Sequence, residues 1–190
     1  MKRFLTAIFA IGFAILCTGC QSDPGQDYTQ EIWNHQHLGS VAYQVPESWG
    51  EPEYDSPIEV FQSHIYHADT FWVQLTLYET GKLTSAYENA QDYANFYQDG
   101  DEDEDVDRSP SEPLDSVIMG DQNAEHFCYK TRYDDTKDFT YTEVYAVDVA
   151  VPGDWFGKTD LFVLEFHSSD GDGLKENARK TADQIVESVV

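Results

Sequence analysis

Only a few groupings in this chain of 190 residues have the residue types and spacing for chemistry. Cys17 and Cys20 stand three positions apart, a separation at which two thiolates can share a metal or form a redox pair. Cys128 lies two residues from His126 in a stretch that reads as a strand, so the two side chains share a face. A thiol beside an imidazole can act as a nucleophile, although a small packed thiol is the competing role. His35 and His37 would project from one side of a strand, and His64 and His67 from opposite sides. Zinc requires three or four converging ligands, so these histidines read as surface or edge residues. The segment Asp99 to Glu112, "DGDEDEDVDRSPSE", is the most provocative. Counted from Asp101, the carboxylates of Asp101, Asp103, Asp105 and Asp107 fall at positions 1, 3, 5 and 7 and that of Glu112 at 12, as in a calcium-binding loop. Val106 occupies position 6, where the turn needs glycine, and Pro110 stiffens the exit. The segment is therefore expected to be a solvated loop of mutually repelling acids, with weak calcium binding by these five residues as the alternative. No nucleophile elbow, zinc-protease helix, phosphate loop or dinucleotide fingerprint occurs in the chain.

The neighbours of the first two cysteines decide how that pair is read. Lys2 and Arg3 precede an uncharged run from Phe4 to Leu16, which is too short for a spanning helix of about 20 apolar residues. Small residues and a cysteine follow, so residues 1–19 read as an export signal that is removed on maturation. Thr18, Gly19 and Cys20 resemble the bacterial lipoprotein box, in which the cysteine becomes the acylated first residue. Cys17 stands where that box usually has an aliphatic side chain. The resemblance implies lipidation of Cys20, by a diacylglyceryl group and often an N-acyl group such as palmitate. Two or more acyl chains hold a protein on a bilayer, where one binds only marginally. Cys17 leaves with the signal, so the two thiols are not a pair. Residues 20–30 then form the lipidated cysteine and a polar tether, and residues 31–190 a single domain.

Charge bounds the partners. The chain carries −25 at neutral pH, and loss of Lys2 and Arg3 with the signal brings the mature form to −27. Such a surface repels nucleic acid and anionic headgroups, so membrane attachment is expected through the lipid alone and natural partners are expected to be basic or cationic. Acidity can also serve solubility in a salty or acidic habitat. With 14% aromatic residues, including 12 Tyr and 11 Phe, the composition is that of a chain with a real core.

The elements that must position any site follow from periodicity. Alternating polarity predicts strands over Glu31 to His37, Val41 to Val45, Glu59 to Tyr66, Phe71 to Tyr78 and Ser116 to Met119, then three long ones over Asn123 to Tyr133, Phe139 to Val151 and Asp160 to His167. Short connections make the last three antiparallel neighbours. Along the middle one, Tyr141, Tyr145, Val147 and Val149 share a side that Glu143 interrupts, which suggests a sheet with one covered face. Ser85 and Glu88 form a capping box, with a tyrosine-rich helical stripe following at Ala86, Tyr87, Ala90, Tyr93, Ala94 and Tyr97. A second helix is expected from about Gly173 with Asp172 as its N-cap. Trp33, Trp49, Trp72 and Trp155 are expected to pack in the core or beneath a helix.

Together, the hairpin ending in "VAYQVPESW", the middle helix, the strand pair at "VIMGDQNAEHFCYKTRY", the final strand "LFVLEFHSS" and the closing "ADQIVESVV" resemble the PsbP-like α/β/α sandwich, including small bacterial lipoproteins of the DcrB-like type. The fold class expected is thus α+β, a mostly antiparallel sheet with a middle and a last helix packed on it. Members of that superfamily mostly bind or help assemble other proteins, so the resemblance implies a membrane-anchored extracytoplasmic module with an envelope protein as partner. An extracytoplasmic enzyme with a pocket between sheet and helices is the alternative from another class.

Overall fold

The computed structural model describes residues 24–55, 61–80, 87–102, 106–133 and 138–190. Cys17, Cys20, Ser85, Asp103 and Asp105, with the expectations placed on them, lie outside these residues. Among the described residues the first strands are β1 (Trp33–Leu38), β2 (Val41–Pro46), β3 (Glu53–Asp55), β4 (Phe61–His67) and β5 (Phe71–Tyr78). After α1 (Ala90–Tyr97) come the short β6 (Asp101–Glu102), β7 (Val106–Arg108), β8 (Glu112–Pro113) and β9 (Val117–Met119). The long β10 (Gln122–Tyr133), β11 (Thr140–Ala150) and β12 (Thr159–Ser168) precede α2 (Glu176–Ser188). The result is a mixed α+β fold in which one large antiparallel sheet runs β3-β4-β5-β12-β11-β10-β7-β6, with β8 and β9 also on β10 and β1-β2 as a separate hairpin.

Both faces of the sheet are covered, a correction to the single covered face expected. Phe162, Leu164 and Phe166 of β12 join Tyr145 and Val147 of β11 in a core closed by Ala182 and Ile185 of α2 and by Leu38, Tyr43 and Val45 of the hairpin. The alternate positions, Leu161, Val163, Val144 and Ala146, form a second core under Ala90 and Tyr93 of α1. Central strands carry apolar side chains at odd and even positions alike, and such strands need cover on both sides.

The helix starts differ from their sequence signals for a tertiary reason. Asn89, not Ser85, caps α1, its side chain accepting the Asp92 N–H at 2.8 Å. The Ala90 N–H is taken by Asp148 Oδ1 on β11, so sheet and helix start are tied together. Asp172 does not cap α2: its N–H bonds Asp170 Oδ1 within a turn closed by Gly173 N–H and Asp170 O. Of the free N–H groups at the helix start, that of Asn177 is met by Pro24 O, and Gly25 O accepts the Asn177 side-chain amide.

That docking also shortens the expected tether. Tyr28, counted in the tether by its polar neighbours, is only 4% exposed, packs edge-on against Trp49 and Phe71, and accepts the Asp69 N–H through its hydroxyl at 3.0 Å. Residues 24–30 therefore belong to the folded body. The body is closed on the same side by the β1-β2 turn, where Gly39 adopts φ +58° and a Cβ would run into the Leu77 side chain. Gly39→Ala should cost about 1–3 kcal/mol, from left-handed strain plus overpacking of the core, read as a lower urea midpoint with unchanged slope.

Candidate functional site

A buried carboxylate centre on the α2 side was visible in the sequence only as an interruption. Glu143 is fully buried in β11, opposite Cys128 across the β10-β11 ladder. Its Oε1 accepts the Tyr145 hydroxyl at 2.6 Å, His126 Nε2 at 3.0 Å and a guanidinium N–H of Arg179 from α2, while Oε2 accepts the Tyr141 hydroxyl at 3.0 Å. Burial alone would raise the carboxyl's pKa, but the bonds from His126, Arg179 and Tyr145 outweigh it and hold the group at about 2. Tyr141 and Tyr145 donate from the same strand, while His126 arrives from β10 and Arg179 from α2, so the centre cross-links β10, β11 and α2.

This arrangement removes the nucleophile reading of Cys128 and His126. The His126 ring stacks on Tyr145, its Nδ1 lies 2.7 Å from Asp115 O and its Nε2 faces Glu143, so neither ring nitrogen is left for the thiol. Burial, the first cause, pushes the Cys128 thiol's pKa up, away from thiolate chemistry. Cys128 is a packed residue.

A second buried carboxyl sits on the opposite face. Glu165 of β12 accepts the Tyr93 hydroxyl of α1 at 3.1 Å and that of Tyr129 at 3.4 Å. Among the described residues no cation forms a hydrogen-bonded pair with it, and burial dominates, raising its pKa to about 7 despite the two tyrosines. His167 Nε2 is 3.8 Å away, too long for a hydrogen bond, and burial lowers the histidine's pKa to about 3. Trp72 stacks on that ring at 3.5 Å and Thr142 Oγ1 lies 3.0 Å from its Nδ1. The sequence signal for Glu165 was present in "LFVLEFHSS", an acid flanked by apolar residues on both sides.

The other histidines are structural or exposed. His64, buried by β3 and β4, bonds the Tyr43 hydroxyl at 2.5 Å, and Tyr43 in turn meets the Tyr66 hydroxyl at 3.0 Å. His67 lies 3.6 Å from Glu53 at the surface, and His35 and His37 stand on the outer side of β1.

The acidic segment is built into the sheet at both of its described ends, a correction to the solvated loop expected. Asp101 pairs with Arg108 and Glu102 with Asp107 in the antiparallel β6-β7 hairpin at the sheet's edge, and Glu112 pairs with Cys128 across β8-β10. Arg132 bonds Asp107 at 2.7 Å, and the Arg108 guanidinium lies over the Phe96 and Tyr97 rings. Among the described residues no group of three or more His, Cys, Asp or Glu side chains converges as metal ligands.

Two surface clefts and one tip lie outside these buried clusters. A polar cleft of about 640 Å³ lies where β12 leads into α2, with Asp69, Asp138, Asp170 and Asp172 facing Lys130 and Lys175. A mostly apolar groove of about 410 Å³ lies at the other end, between β9, β11 and the end of α2. Beside it the β11-β12 connection presents Trp155 and Phe156, which are 95% and 97% exposed, a correction to the buried tryptophan expected. The connection is held by its own backbone: Asp154 Oδ2 accepts the N–H groups of Phe156 at 3.2 Å and Lys158 at 2.6 Å, and Val151 N–H bonds Lys158 O.

The chain matches no protein-family model, and no curated protein resembles it in sequence. No helix among the described residues is long and apolar enough to cross a membrane.

Proposed function

We propose that the mature protein is a lipid-anchored extracytoplasmic binding module of the PsbP-like, DcrB-like type, attached through acylated Cys20 and holding an envelope protein without turning over a substrate. The observation that carries the reading is the contrast between the two kinds of reactive surface. The buried polar clusters around Glu143 and Glu165 are walled inside the body as cross-links, whereas the aromatic pair Trp155-Phe156 stands almost fully exposed. Large aromatic side chains on a rigid support are the anchors that dominate protein–protein affinity. The middle and last helices on opposite faces of the sheet support the sandwich resemblance.

The geometry also supports a direction. Pro24, which shares a small cleft with Asp170 and Asp172, is four residues from Cys20, a span of at most about 14 Å. The aromatic tip is at the far end of β12, whose ten residues rise roughly 33 Å. A lipid on Cys20 would thus hold the tip outward, towards a partner and away from the bilayer.

Acyl labelling of the full chain should be abolished by Cys20→Ser. In the same cells a photo-crosslinker in place of Trp155 should capture a defined envelope protein that a crosslinker in place of Tyr54, an exposed aromatic elsewhere, does not. Persistent labelling of Cys20→Ser refutes the anchor, and identical capture from both positions refutes the module.

A further inference from the structure

From the groove beside the aromatic tip, and resting on the binding-module reading, we infer that the partner is engaged through a basic segment that carries apolar side chains. Met119, Val147 and Val149 floor the groove, Val189 walls it, and Pro152 continues it towards Trp155 and Phe156. The charged side chains among the described residues lining it are Asp121 and Glu187, both exposed and both acidic. The floor belongs to the main core, with Val149 packed against its buried residues, so the groove is a preformed depression.

The occupant follows from charge and shape. An apolar floor between two acidic rims favours side chains that bury a hydrocarbon and end in, or alternate with, a cation. Anionic lipid, nucleic acid or an acidic peptide would meet Asp121 and Glu187 as like charges, on a body whose mature charge is −27 once Lys2 and Arg3 are removed from a chain of −25. A second copy of this chain meets the same repulsion. The groove selects the apolar side chains, and its rim and the surrounding acidity select the cations, so neither alone accounts for the partner. Trp155 and Phe156 then extend the contact beyond the groove.

The test uses the full chain and short synthetic peptides in about 0.15 M salt, where charges beyond roughly 8 Å are screened. A labelled peptide of alternating Val and Lys is titrated by anisotropy beside Ser/Lys and Val/Glu counterparts. The Val/Lys peptide should bind at least about tenfold tighter than either counterpart. Val190→Trp, at an exposed position lining the groove, fills the groove without changing charge, and Asp121→Asn with Glu187→Gln neutralises the rim. Each should weaken Val/Lys binding by about tenfold, with the thermal midpoint unchanged. Equal binding of the Val/Lys and Ser/Lys peptides, or no effect of Val190→Trp, reduces the interaction to general acidity and overturns the inference. Absence of any peptide binding also overturns it, and leaves the module reading to stand or fall on the crosslinks from position 155.

Discussion

Arg179→Met is expected to destabilise the protein by about 3 kcal/mol at neutral pH, because it strips the cation from a carboxylate that stays buried. Glu143 has no exposure through which water could replace the guanidinium, and the remaining donors, His126, Tyr141 and Tyr145, already have their places on its two oxygens. Removing Glu143 as well should restore part of the loss, so Glu143→Met/Arg179→Met should be less destabilised than the sum of the single variants. The acid limb checks the same centre. Glu143 falls from an ordinary 4.5 to about 2 in the folded protein, so its contribution is fully present above pH 4.5 and is lost as pH drops through 2. That shift is worth about 3 kcal/mol. In Arg179→Met the gap narrows, and urea midpoints measured from pH 6 to pH 2 should fall less steeply than in the parent. An unchanged acid limb together with unchanged stability would show that Arg179 does not hold the carboxylate.

Glu165→Gln should have the opposite pH signature and make the protein more stable in mild alkali. Burial raises the Glu165 pKa from 4.5 to about 7, so the folded state binds the extra proton. The sign follows directly: stability from this group is fully present below pH 4.5 and is lost as pH rises through 7, by about 3 kcal/mol in all. Glutamine cannot ionise, and its amide fills the place of the neutral acid beneath Tyr93 and Tyr129. The difference in melting temperature between variant and parent should therefore grow by roughly 6–10 °C from pH 5 to pH 9. Because the whole acidic surface also titrates, the difference between the two proteins is the quantity to follow. A difference that stays flat with pH would mean that Glu165 is already ionised in the fold. The two buried carboxyls thus bound stability from both sides, one failing in acid and the other in alkali.

Glu143 and Glu165 also mark the limit of what periodicity can read. The alternation in "FWVQLTLY" predicts β5 to the residue and the three long strands come out within a residue or two, whereas α1 begins at Ala90, four residues after the start that a Ser85 cap would set. Alternation also places Glu143 on an inward face, yet it carries no information about Arg179, which is 36 residues away and arrives only when α2 packs. Likewise the burial of Glu165 depends on α1 crossing a strand far from it in sequence. Local signals mislead where a distant group supplies the partner: Asp172 has the right type for an N-cap, but the carbonyl of Pro24 takes the Asn177 N–H at the helix start. The acid run reads as a repelling loop because Arg132 and the end of β10, which pin Asp107, lie beyond the window.

What the sequence determined by itself is what short-range chemistry can write: a strongly acidic composition, the long strands and the two helices in their order along the chain, and the faces of each that prefer to be buried. Sheet order, the placing of the two helices on opposite faces, the conversion of two glutamates into cross-links of opposite pKa, and the outward stance of Trp155 and Phe156 were decided only by the tertiary structure. The reason is that burial and hydrogen-bond partnership are properties of pairs of residues brought together by the fold, while hydropathy and spacing are properties of one stretch of chain.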